Sequence, residues 1–121
     1  MVKTKRVYDE VGKDDGIRVL VDRLWPRRLK KESIKVKLWL KQIAPSNELR
    51  KWFSHDPSRW RGFCKRYKQE LIRDEEKKKT LMHLVEIACS EDLTLVYGAK
   101  DKEHNNAQAL KEFIENLLKT S

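Results

Sequence analysis

The run Leu93-Thr94-Leu95-Val96-Tyr97-Gly98 leads into a polar loop and then into apolar residues spaced by three and four as far as Leu118. No other stretch constrains the chain so tightly. A β-branched and aromatic run closed by glycine reads as a strand, and the period that follows the loop reads as an amphipathic helix. Ligands collect where a strand feeds a helix in α/β folds, because backbone N–H groups and the helix dipole converge on that loop. Here the loop carries Lys100, Asp101, His104 and Asn105: a cation, an acid, an imidazole and an amide. Asp101 and Asn105 are equally suited to capping the helix that follows.

Upstream, Asp14-Asp15-Gly16 is a turn signal, and Ile17 to Val21 after it is a strand whose near-continuous apolar character suits cover on both faces. Thr4 to Tyr8 is a weaker strand candidate. Asp22 and Arg23 fall at the carboxyl end of the second strand, and Pro26 forces Trp25 into extended geometry, which makes a rigid loop bearing Arg27 and Arg28. Lys30 to Ser33 reads as a solvated charge run. Val36, Leu38 and Leu40 alternate with Lys37, Trp39 and Lys41 as in a half-buried strand, with an amphipathic helix as the competing reading.

Ser46 is a helix N-cap for Leu49, Trp52 and Phe53, and Asp56-Pro57 starts a longer helix through Trp60, Phe63, Cys64, Tyr67 and Leu71. Leu81, Leu84, Val85 and Ala88 form another stripe, and the last helix buries Ala107, Leu110, Phe113, Ile114 and Leu117. The expected fold is therefore α/β: one compact domain with a small, mainly parallel sheet of three or four strands flanked by four helices. A chain of 121 residues accommodates one core of ordinary size.

If the strands are parallel, the clusters after Val21 and Tyr97 share one edge of the sheet. Arg23, Arg27 and Lys100 would then supply fixed positive charge, and the backbone at Asn105, Asn106 and Ala107 further donors. His104 is suited to acid/base work, with Asp101 or Asp22 to orient it or act as carboxylate base. Neither loop holds a usual nucleophile. Competing structural readings are an Asp22–Arg23 ion pair that ties down the Trp25 loop, and a plain turn at Lys100-Asp101. Trp25 and Trp39 lie outside the helical stripes and could wall a pocket, whereas Trp52, Trp60, Phe63 and Tyr67 read as core. His55, His83 and His104 have no metal-binding spacing, and no G-x-G-x-x-G or G-K-[ST] loop occurs, so no metal and no cofactor is expected.

The 28 Lys and Arg against 19 acids give a net charge of +9, which favours an anionic small molecule or nucleic acid as partner. A surface rich in Lys and Glu is also the mark of heat adaptation. No signal peptide and no long apolar run is present, which implies a cytoplasmic protein with no membrane association. Cys64 and Cys89 fall on helical apolar faces and read as small buried hydrophobes. The sequence assigns no oligomeric state.

Four blocks in order carry a resemblance: Val21-Asp22-Arg23-Leu24-Trp25-Pro26-Arg27, Trp39 to Ser46, Trp52 to Trp60, and Tyr97 to Asp101 with His104-Asn105. Together they resemble the YeaO-like branch of domain-of-unknown-function family 488 over nearly the whole chain. The resemblance implies a small single-domain cytoplasmic α/β protein and carries over no reaction. Asp22, Arg23, Trp25, Pro26, Arg27, Lys41, Ser46, His55, Asp56, Lys100, Asp101, His104 and Asn105 match the family's pattern, which adds His55 and Lys41 to the site candidates. Arg28 departs from it, standing where the family usually has glycine; if that glycine lets the backbone approach a ligand, the loop and the part played by Arg27 are altered here.

Two functional expectations follow. One is a pocket that binds, with acid/base chemistry as a further step, a phosphorylated or nucleotide-like anion. The alternative is a basic nucleic-acid-binding module without catalysis.

Overall fold

The computed structural model describes residues 1–120. Four parallel strands form one sheet: β1 (Val2–Arg6), β2 (Ile17–Leu20), β3 (Leu38–Trp39) and β4 (Leu93–Tyr97), in the order β1-β4-β2-β3. β4 is central and wholly buried, with Val2 to Arg6 registered against Leu93 to Tyr97 on one side and Ile17 to Leu20 against Leu93 to Val96 on the other. Because every strand runs the same way, the polar segments after Leu20 and after Tyr97 emerge at one edge.

The four expected helices are α2 (Asn47–Phe53), α3 (Trp60–Arg73), α4 (Glu75–Ser90) and α5 (Asn106–Thr120). A single-turn helix, α1 (Lys31–Ile34), occupies the stretch read as a solvated charge run; buried Ile34 anchors it, and Lys35 ends it in the left-handed region. Ser46 caps α2 by accepting from Leu49 N–H, Asp56 accepts from Ser58 N–H in the turn that opens α3, and Asp74 accepts from Lys77 N–H to start α4.

Leu93, Leu95 and Tyr97 project to one face of the sheet and join Val19 and Val21 under α3, α4 and α5 as the larger core. Val96 projects to the other face and meets Leu20, Val7, Ile34 and Val36, with Trp25 and Leu29 over them. The strands are thus covered on both faces, as the apolar run at Ile17 to Val21 implied. Under the second face Asp15 and Arg18, 1% and 4% exposed, pair at 2.7 Å. Lys3 and Lys5 also reach the Asp15 carboxylate, and the Arg18 guanidinium donates to Ile34 C=O, so neither charge is left unpaired.

Three expectations are corrected. The strand read across Val36 to Lys41 is only Leu38–Trp39, since the edge offered by β2 ends at Leu20, whose C=O accepts from Leu40 N–H before a tight turn at Lys41–Ile43. β1 begins at Val2 rather than Thr4, and Tyr8 lies outside it and is exposed. Cys89, next to the last residue of α4, and Leu117, in the last turn of α5, are exposed, while Ala109 takes a fully buried place. Among the described residues no helix is long and apolar enough to cross a membrane.

Candidate functional site

Three chain segments meet beyond the carboxyl ends of β2 and β4 and enclose a cleft of about 290 Å³. The segment after β2 brings Asp22, Arg23 and Leu24 to its wall; the segment before and within α2 brings Ala44, Pro45, Arg50 and Phe53, with His55 just beyond. The loop into α5 brings Ala99, His104, Asn105 and Asn106, and Phe63 of α3 closes the interior. Apolar surface lines much of this space, and the cationic and imidazole groups are gathered at Arg23, Arg50, His55 and His104.

Asp22 fastens the two strand ends together. One of its oxygens accepts from Gly98 N–H at 2.8 Å and the other from the Asn106 amide at 3.2 Å, and the same amide donates to Val21 C=O at 3.0 Å. Burial raises the Asp22 carboxyl above its usual range, and the donors from Gly98 and Asn106 offset part of that rise. A Cβ at Gly98 would lie 3.2 Å from the Asp22 oxygen, a tight contact that the carboxylate would have to shift slightly to admit. Asp22 and Arg23 form no ion pair; the carboxylate is held by N–H donors instead.

His104 is fixed from two sides. Its Nδ1 lies 2.9 Å from an Asp101 oxygen, and its ring stands edge-on to Trp60 with centroids 5.3 Å apart. Asp101 also accepts from the backbone N–H of Glu103 and of His104, so it shapes the loop as well as orienting the imidazole. Its carboxyl lies below the usual range, chiefly through the His104 hydrogen bond. With Nδ1 engaged, Nε2 is the nitrogen left for a ligand. Asn105, not Asp101, caps α5, accepting from Gln108 N–H at 2.8 Å.

His55 occupies a strained kink. Ser54 closes α2 in the left-handed region at φ 47°, and His55 follows it there at φ 55°. Two successive non-glycine residues in that region cost roughly 1–2 kcal/mol each; Phe53 before the kink and Trp60 after it pack with centroids 6.0 Å apart.

Of the residues singled out in the sequence, the cleft assembles Asp22, Arg23, His55, His104 and Asn105, with Asp101 behind His104. Five are placed elsewhere. Trp25 donates its indole N–H to Leu29 C=O and packs edge-on against Trp39 at 5.3 Å, so these two tryptophans wall each other rather than the cleft. Lys41 lies over the Trp39 ring, and Arg27 and Lys100 are exposed and do not line the cleft. Arg27 sits in the turn from Pro26 to Leu29 and Lys100 in the bend after Ala99, and residue type does not encode which loop cations reach the cleft.

Arg50 and the Asn106 side chain were not anticipated. Arg50 carries no signal beyond being a cation on the polar side of α2, and Asn106 was read only as a backbone donor. Phe53 and Phe63, read as core, are core and cleft wall at once.

A family model described as "Inactive DUF488-N3 subclade" matches residues 1–121. The chain is 40% identical to the uncharacterised protein YeaO of Escherichia coli (strain K12), over 96% of this chain and 98% of that one. It is 49% identical to an uncharacterised protein of Mycobacterium tuberculosis (strain ATCC 25618 / H37Rv), over 58% of this chain and 59% of the relative. No solved structure matches significantly. With its four motif blocks distributed along a parallel α/β sheet and a match that runs from end to end, the chain belongs to the inactive DUF488-N3 subclade as a YeaO-like member of the DUF488 family.

Proposed function

We propose that the cleft binds a small anionic molecule of the phosphorylated or nucleotide-like class at the carboxyl ends of the strands. One observation carries the reading: Arg23, Arg50, His55 and His104 converge on a single cleft whose one carboxylate, Asp22, already has both oxygens occupied by N–H donors. Such a cleft offers donors and positive charge around one carboxylate that is already hydrogen-bonded. Phe53 and Phe63, buried in the core, form part of the apolar floor of the cleft. The His104–Asp101 pair has the form of an acid/base unit, but the description of the subclade as inactive favours binding without turnover.

The test is calorimetric titration and thermal shift of wild type and an Arg23→Ala/Arg50→Ala variant with nucleoside monophosphates, sugar phosphates and carboxylates. One class should stabilise wild type by about 2.7 kcal/mol at a hundredfold excess over its dissociation constant, and the variant should lose that gain. A panel in which no small anion binds, or binding that the variant retains, refutes the proposal.

A further inference from the structure

The face of the sheet away from α3, α4 and α5 is covered by one thin layer of chain. Trp25, Leu29, Ile34 and Val36 are its inward anchors, packed with Val7, Leu20 and Val96. The residues between those anchors therefore form its outer side, and Arg27, Arg28, Lys30, Lys31 and Lys35 are all exposed there. Five of the twelve residues from Trp25 to Val36 are thus cations, against the single acid Glu32.

Cations deeper on the same face are matched, since Lys3, Lys5 and Arg18 all meet Asp14 or Asp15. Among the described residues, none of the five outer cations has an ion pair or a side-chain hydrogen bond. Two of them are also held at a conformational cost. Arg28 has φ 64° and Lys35 φ 47°, in the left-handed region that glycine enters freely and L side chains do not. Arg28 is the third residue of its turn and Lys35 the residue that ends α1, both places where glycine is the cheaper choice. Both side chains are exposed, so packing does not account for a cation at either place. Backbone conformation asks for glycine, and the charge needs another reason.

We infer that this layer is a docking surface for nucleic acid, which it holds by the phosphates of a duplex without reading the bases. A surface of unmatched charge fits a phosphate array, because each cation that meets a phosphate releases condensed counterions. A protein interface needs apolar or aromatic anchors at its centre, and the apolar residues of this layer point into the sheet instead. The same lack of an outward apolar contact disfavours insertion into a lipid surface. α1 has a single turn, too short to read a groove. The Trp25 indole is tied to Leu29 C=O and packed against Trp39, so the layer has no open ring on which an unpaired base would stack, and a duplex suits it better than a single strand. None of the five cations lines the cleft, so this surface stands apart from the small-anion site.

Fluorescence anisotropy with a short labelled DNA duplex of mixed sequence, over a salt series and on the full chain, tests the surface. The triple variant Arg27→Ala/Lys30→Ala/Lys31→Ala should lower the slope of log affinity against log salt by about 3, and Arg28→Gly/Lys35→Gly should lower it by about 2. The double variant should do so while melting above wild type, which separates its lost binding from any loss of fold. The control triple Arg61→Ala/Lys65→Ala/Lys68→Ala removes exposed cations of α3, on the other face of the sheet, and should leave the slope unchanged. Equal losses in the two triples, no duplex binding by wild type, tighter binding of a single strand of the same length, or a double variant that melts at or below wild type would each overturn the inference. So would capture of phosphatidylserine vesicles through these cations while the duplex stays free, which would assign the surface to a membrane.

Discussion

Arg28 has a φ of 64°, in the region that glycine enters without penalty and other residues rarely adopt. It is the third residue of the turn from Pro26 to Leu29, closed by a backbone hydrogen bond of 3.5 Å, and the Trp25 indole donates across that turn to Leu29 C=O. The third position of a four-residue turn is where positive φ favours glycine, so the glycine that the family resemblance implies here would have a conformational cause and would require no ligand near the backbone. The left-handed conformation costs an L-residue about 1–2 kcal/mol, and glycine returns about 0.5–1 kcal/mol of that through the greater freedom of its unfolded chain. Arg28→Gly should therefore stabilise the protein by about 0.5–1 kcal/mol, a rise in Tm of roughly 2–5 °C for a domain of this size. Arg28 is exposed, so little packing is lost with its side chain. The comparison variant is Arg28→Ala, which keeps the backbone penalty and should leave Tm within about a degree. Calorimetric melts of the three proteins decide the matter. If Arg28→Ala rises as much as Arg28→Gly, the side chain rather than φ is the cause; if Arg28→Gly melts at or below wild type, the strain argument fails.

The buried Asp15 cluster predicts an acid response. Burial alone would raise the Asp15 carboxyl, but hydrogen bonds from Lys5, Gly12 N–H, Lys3 and Arg18 outweigh it and hold the group well below the usual carboxylate range. Its stabilising contribution is present above the unfolded-state value of about 3.9 and is lost as pH falls below it. Asp15→Asn should cost about 3–5 kcal/mol at neutral pH and flatten the stability profile below about pH 4; urea melts showing the same acid slope in both proteins would contradict the assignment. The thiols should separate in reactivity: burial, with Glu112 nearby, pushes Cys64 up to about 11, while Cys89 is exposed on α4. Ellman's reagent at neutral pH should titrate Cys89 quickly and Cys64 only slowly or after unfolding, and equal rates, resolved with Cys64→Ala and Cys89→Ala, would show that Cys64 is not shielded.

Elements whose signal is local were legible. β4 reads as a strand because five consecutive residues are apolar or β-branched and all five are buried, and α3 reads as a helix because Phe63, Tyr67 and Leu71 recur on one side. Caps at Ser46 and Asp56 were legible for the same reason, since donor and acceptor lie within three residues. β3 was not, because its length depends on where β2 stops offering partners. Half of the candidate site was legible as well: Asp22, Arg23, His104 and Asn105 follow strand ends, and parallel pairing of those strands suffices to bring them together.

By itself the sequence determined the class of fold, the order of its elements, the edge of the sheet on which the polar loops emerge and the excess of positive charge, all of which follow from periodicity, turn chemistry and composition. Only the tertiary structure decided which cations the cleft keeps. Arg50 lines the cleft while Arg27, Lys41 and Lys100 do not, because which cations meet there depends on how distant segments pack, as Lys41 over Trp39 shows. The same holds for the partners of the charges. Asp22 met Gly98 and Asn106 across the sheet edge rather than Arg23 beside it, because a half-buried carboxylate is held best by N–H donors already fixed in place, and those lie more than seventy residues away in the chain.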